Sequence, residues 1–318
     1  MSIQDNSAYG DPEVFSMVHG IAEKAAEYTT TFRLGFQIRW RCWGKGPLLV
    51  LLHGGHGSWM HWIRNIESLA EDYCVVAPDL PGFGDSDLPD IAVSVDDISQ
   101  ALSAGLDQLM GPETTPVFVG FSFGSVVAAH LVGLRKSRCA RLVLVGCGRL
   151  GTQIAARPLL VDWRKITGTE ARKAAHRHNL SSLMLFDAAK ADDLAVYIQS
   201  LNTAAARLRS LRVVKTHRLR SCLAESLVPV DAIWGSRDPT LIGRIEDTVP
   251  LLREFDREAS CIAIDGAGHW VQYEEAAQFN TVLTGLLGTN RKRRALEPRH
   301  NSGKIGDDIQ NFRGLRSW

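Results

Sequence analysis

Apolar and polar positions nearly alternate over residues 32–43, FRLGFQIRWRCW, the pattern of half-buried antiparallel strands at a sheet's leading edge. Continuous apolar runs follow: LLVLL at 48–52, YCVVA at 73–77, PVFVG at 116–120, RLVLVG at 141–146, VDAIWG at 230–235 and CIAI at 261–264. Runs this short and this apolar suit strands covered on both faces. Helical periodicities lie between them. In the clearest, 95–110, Ile98, Ala101, Leu102, Gly105, Leu106 and Leu109 share one face, and Ser94 with Asp97 predicts a capping box. Alternation of strand and helix over this distance predicts an α/β fold: a mostly parallel sheet with helices on both faces and reactive groups at the strands' carboxyl ends.

Residues 149–226 interrupt the alternation. They are rich in Ala, Arg, Lys and Leu and predict several helices without a strand, which reads as an inserted helical cap. The expected division is an N-terminal extension over 1–30, an α/β core over 31–148 and 227–288 with the cap between, and a disordered basic tail over 289–318.

The segment PVFVGFSFGSVVAAHLVGL places G-F-S-F-G at 120–124 directly after a strand and directly before a small-residue helix. A serine on so sharp a turn needs glycine at 120 and 124, because side chains there would collide as strand and helix approach. Ser122 is then presented at a helix N-terminus, whose partial positive charge favours a nearby oxyanion. A serine hydroxyl is a weak nucleophile, so a base must reach it. His269 fits: it lies in a glycine-containing loop, DGAGHW, between a strand and a helical segment. The base needs a carboxylate to fix its tautomer, and Asp238 in GSRDPT follows the strand at 230–235, with Pro239 stiffening the turn. Asp265 and Asp79 compete for that role, and Asp265 is expected to stabilise the base's own loop.

The glycine-rich turn in LLVLLHGGHGSW suits a backbone donor to an oxyanion. Gly55 is the expected N–H, paired with that of Phe123. His53 is expected to brace the turn. His56, Trp59, Phe121 and Trp270 are candidates for lining a substrate pocket. No G-K-[ST] follows the glycines, which disfavours a phosphate loop.

Composition narrows the partners. A net charge of +1 gives no global drive toward nucleic acid or an anionic membrane, so any partner must be argued locally, and a small-molecule substrate is the one expected. The start of the chain lacks a basic segment leading into an apolar run, and no stretch of about 18 apolar residues occurs, so a cytoplasmic location is expected. Six scattered cysteines without a C-x-x-C pair predict reduced, buried thiols.

Taken together, HGG at 53–55, APDLPGFGDSD at 77–87, GFSFG at 120–124, WGSRDP at 234–239 and GHW at 268–270 resemble the α/β-hydrolase superfamily, over about residues 30–288. The resemblance implies an eight-stranded sheet, a helical cap, no metal or organic cofactor, and an acyl-enzyme route for esters or lactones. Serine at the nucleophile position argues against the haloalkane dehalogenases and epoxide hydrolases, which carry aspartate there. GHWVQYEEAAQFN also resembles the histidine loop of hydrolases that cleave carbon–carbon bonds in aromatic ring-fission products. Those enzymes usually place asparagine before the nucleophile and another amide in the early glycine loop, where this chain has Phe121 and His61. A non-catalytic ligand-binding role is the remaining alternative for this scaffold.

Overall fold

The computed structural model describes residues 11–88, 92–148, 158–210, 216–241 and 245–289. Its strands are β1 (Ala26–Thr31), β2 (Gln37–Trp43), β3 (Leu48–Leu52), β4 (Cys74–Pro78), β5 (Val117–Phe121), β6 (Arg141–Val145), β7 (Val230–Gly235) and β8 (Cys261–Ile264). They form an eight-stranded sheet in the order β1-β2-β4-β3-β5-β6-β7-β8. β2 runs antiparallel to both neighbours, and every pairing from β4 to β8 is parallel. The parallel strands are those the apolar runs predicted, because all but the edge strand β8, where Ala263 is exposed, are covered on both faces.

The leading edge differs from expectation. Residues 32–43 hold one strand, not more: the chain turns at Arg33–Gly35, with Gly35 at φ 76°, and pairs β2 back onto β1. The sheet thus begins inside the 1–30 segment. β1 is an exposed edge, AEYTTT, that buries only Thr30, so it carries no apolar alternation to betray it.

The helices are α1 (Pro12–Glu23), α2 (Ile66–Leu69), α3 (Val95–Met110), α4 (Phe123–Arg135), α5 (Thr169–Leu183), α6 (Asp193–Ala205), α7 (Thr216–Glu225), α8 (Ile245–Arg253), α9 (Val271–Glu274) and α10 (Ala276–Leu287). Two apolar cores flank the sheet. Ile98, Leu102, Val127, Leu131, Leu219, Leu223 and Leu252 of α3, α4, α7 and α8 fill one. Val18, Ile66, Phe279 and Leu283 of α1, α2 and α10 fill the other, which continues into the cap through Leu180 of α5 and Leu194 and Ile198 of α6. The cap therefore shares a core with the sheet's covering layer. α7 belongs to the sheet, not to the cap that 149–226 was expected to form: Gly133 of α4 packs directly on Cys222. Residues 149–157 and the basic segment 290–318 lie outside the described residues.

Arg141 on β6 and Asp231 on β7 form a buried ion pair across the sheet (3.2 Å), and Arg141 also donates to Thr289 O and Oγ1 (2.8 Å each) at the end of α10. The capping box is present: Ser94 Oγ accepts from Asp97 N (3.2 Å) and Asp97 Oδ2 accepts from Ser94 N (2.8 Å). Ser94→Ala is expected to lower the unfolding free energy by about 1 kcal/mol in urea denaturation.

Candidate active site

β5 ends at Phe121 and α4 starts at Phe123, leaving Ser122 alone in the turn at φ 51°, ψ −109°. A residue with a Cβ in that region costs about 1–3 kcal/mol unless its surroundings over-determine it. Here they do. Ser122 N donates to Val145 O (2.8 Å), and the Ser125 hydroxyl bonds the carbonyls of Gly120 and Val145. A Cβ on Gly120 would collide with the Gly124 carbonyl, and one on Gly124 with the Leu52 carbonyl.

His269 arrives from the loop after β8. Ser122 Oγ lies 3.0 Å from its Nε2, and Asp238 Oδ2 lies 2.7 Å from its Nδ1. A carboxylate only accepts, so the bond to Asp238 puts the imidazole proton on Nδ1 and leaves Nε2 as the acceptor for the serine proton. Asp238 is 1% exposed, and its second oxygen accepts from Thr240 N (2.8 Å) and Thr240 Oγ1 (2.7 Å). The two loops are joined: Arg237 N donates to Ala267 O (2.9 Å), and Ser236 Oγ links Asp265 Oδ1 to Gly266 N. Asp265 therefore supports the base's loop. Asp79 is committed elsewhere, accepting from Trp59 N, Asp85 N and Arg41.

At the end of β3, His53 lies flat in the turn, its Nδ1 against Gly54 O (2.7 Å) and its Nε2 accepting from Leu80 N (2.8 Å), a bracing arrangement. Gly54 N donates to His61 Nδ1 (3.2 Å). The next N–H, that of Gly55, and the N–H of Phe123 at the first position of α4 have no protein acceptor among the described residues. The buried Ser210 hydroxyl lies against Gly55 as well.

The aromatic pocket candidates require correction. Trp59, Phe121 and Trp270 are 1%, 1% and 0% exposed. Trp59 packs between Trp43 and Arg41, and Trp270 stacks on Tyr273 at 4.2 Å while donating its indole N–H to His61 O (2.9 Å). Phe121 sits under the site, its ring 5.4 Å from His61 and 5.0 Å from His269. Trp59 and Trp270 thus pack into the core, and Phe121 alone of the three has its ring against His269. Of the four candidates only His56, at φ 54°, is exposed.

Thr240, Ser125 and His61 escaped the sequence reading as supporting residues. D-P-T alone could have marked Thr240, because a hydroxyl or amide two residues beyond an aspartate commonly closes a local turn.

Residues 49–282 match the alpha/beta hydrolase family, and the chain belongs to it. The chain is 28% identical over 248 residues to the dihydrolipoyllysine-residue acetyltransferase component of the acetoin cleaving system of Pseudomonas putida. That alignment covers 76% of this chain and 64% of the relative, so the chain spans less than two thirds of that protein's length. It is 27% identical over 293 residues to a 2-hydroxy-6-oxononadienedioate/2-hydroxy-6-oxononatrienedioate hydrolase of Cupriavidus pinatubonensis, covering 85% of this chain and 98% of that one. An esterase from Rhodococcus sp. ECU1013 superposes with a TM-score of 0.68 at 20% identity, over 84% of this chain and 99% of the other, a likeness of fold. Among the described residues no helix is long and apolar enough to cross a membrane.

Burial holds the His53 imidazole below the ordinary histidine range, and burial beside His53, His269 and His56 holds His61 well below it. Below about pH 6.5 the unfolded chain then binds protons that the folded one refuses, so stability is complete above that pH and falls with acidification. Each histidine contributes a slope approaching ~1.4 kcal/mol per pH unit. The urea midpoint is expected to drop between pH 7 and 5, with a shallower drop for His61→Asn. Equal midpoints at both pH values would contradict this account of the two imidazoles.

Proposed function

We propose that this hydrolase cleaves a small carboxylic ester or lactone through an acyl-enzyme. The observation that carries the reading is the hydrogen-bonded series Asp238–His269–Ser122, in a site where the N–H groups of Gly55 and Phe123 have no protein acceptor among the described residues. In this reading Ser122 Oγ attacks the carbonyl carbon as His269 Nε2 takes its proton. The N–H groups of Gly55 and Phe123 hold the oxyanion, and Asp238 offsets the charge on the imidazolium. His269 returns the proton to the leaving alkoxide, giving the free alcohol. Water then enters, loses a proton to His269 and attacks the acyl carbon. The serine leaves with that proton and the acid is released. A cytoplasmic setting suits the six reduced thiols, of which Cys42 and Cys139 are pushed by burial up to about 12.

Carbon–carbon hydrolysis of a ring-fission dienol is the second reading, favoured by the name of the Cupriavidus relative. Against it stands Phe121, whose buried ring provides no polar side chain beneath the nucleophile.

Steady-state turnover of short aryl esters beside a coloured ring-fission dienol separates the two. Ester turnover lost in Ser122→Ala, and reduced about 10³-fold or more in Asp238→Asn, supports the proposal. Faster loss of the dienol than of any ester moves the assignment to carbon–carbon cleavage. Tight ligand binding without turnover identifies a binding protein, and unchanged ester turnover in Ser122→Ala overturns the role of the serine.

A further inference from the structure

The base is held from a direction that the triad does not explain. The peptides on both sides of His269 donate outward. Gly268 N donates to Glu274 Oε2 (2.7 Å), and Trp270 N donates to Met184 O (2.7 Å), which lies just past the end of α5 in the cap. The Glu274 side chain, in a residue 2% exposed, accepts in addition from Phe186 N (3.1 Å) and Asp187 N (2.7 Å) of the same cap turn. One buried carboxylate thus gathers three backbone N–H groups, one beside the base and two in the cap, and bonds of this kind to an ionised acceptor are the strong ones.

A second observation concerns volume. A Cβ on Gly268 would lie 2.6 Å from Phe186 N, 2.9 Å from Leu185 C and 3.0 Å from Met184 O. The cap backbone rests directly on the residue preceding His269. Lys190 fastens the same turn, donating to Glu274 O (2.8 Å) and pairing with Glu275.

We propose that Glu274 is a positioning residue for the base, and that the cap turn 184–187 is the seat on which His269 is aligned. None of these groups bonds Ser122, His269 or Asp238 through a side chain, so Glu274 acts through the Gly268 peptide. The cap then does more than cover a substrate, since loosening its inner edge displaces the imidazole from the serine. The inference rests on the hydrolase reading of the triad.

The test uses the full chain with two readouts. One is the low-field proton resonance of His269 Nδ1–H, assigned by its loss in His269→Gln. The other is the rate at which an aryl fluorophosphonate labels Ser122, followed by intact mass. Glu274→Gln turns an amide N–H₂ toward one of the three donors, and Glu274→Asp shortens the reach by a methylene. Gly268→Ala pushes the loop off the cap without touching the carboxylate. With folding checked by circular dichroism, each variant that folds is expected to broaden or lose the resonance and to label at least about 10-fold more slowly. Folded Glu274→Gln and Glu274→Asp that keep the wild-type resonance and labelling rate would overturn the proposal, because Glu274 would then only stabilise the fold. Should the wild type show the resonance yet resist the probe, the hydrolase reading fails and the resonance still decides the role of Glu274.

Discussion

The Gly124 carbonyl occupies the volume that a Cβ on Gly120 would need, and the Leu52 carbonyl stands in the same relation to Gly124. This close approach of β5, β3 and the start of α4 is the constraint on which the site depends. It allows a helix to begin one residue after a strand ends, and it leaves the intervening residue no choice but φ 51°. The strain at Ser122 is held by its neighbours, chiefly the Val145 carbonyl of β6, which accepts from Ser122 N, and the Ser125 hydroxyl of α4, which bonds the Gly120 and Val145 carbonyls. Its result is a hydroxyl at the carboxyl end of β5 beside a helical N–H that has no acceptor among the described residues.

Everything else at the site adjusts to that fixed point. Gly146, at φ 57°, leaves room after β6 for the His269 ring, since a Cβ there would come within 3.2 Å of it. Phe121 supports the same ring from below. The loops that carry Asp238 and His269 are joined backbone to backbone, so the two side chains are held together opposite Ser122. His61 links two further parts, accepting from the glycine loop with its ring and from Trp270 with its carbonyl. Its neutrality is required, since Nδ1 can accept from Gly54 only when it carries no proton.

The three residues that the structure brings together, Ser122, His269 and Asp238, were legible in the sequence because each is announced by local chemistry. Gly-x-Ser-x-Gly between a strand and a helix, a histidine in a glycine loop and an aspartate before proline are all turn signals at strand ends. The inner parallel strands were legible as apolar runs because both their faces are covered. What could not be read depends on contacts between distant segments. β1 is an exposed polar edge, and its place in the sheet is set by pairing with β2. α7 looks like its neighbours in the insertion until Cys222 is seen packed on Gly133. Trp59 and Trp270 have the composition of a pocket wall, yet hydrophobic periodicity does not say whether an aromatic ring faces a cavity or a neighbour. Glu274 is silent in the sequence because its partners are the peptides of residues 186, 187 and 268, and backbone donors carry no side-chain signature.

The proposed acyl-enzyme route requires that the Ser122 hydroxyl, hydrogen-bonded to His269 and through it to Asp238, become covalently acylated. Acid quenching of the protein during turnover of an aryl ester, followed by peptide mass spectrometry, tests it most directly. The predicted result is an acyl mass on the peptide containing Ser122, absent from Ser122→Ala and strongly diminished in His269→Gln. Ester turnover at full rate with Ser122 unmodified, or an acyl group found on another residue, would contradict it.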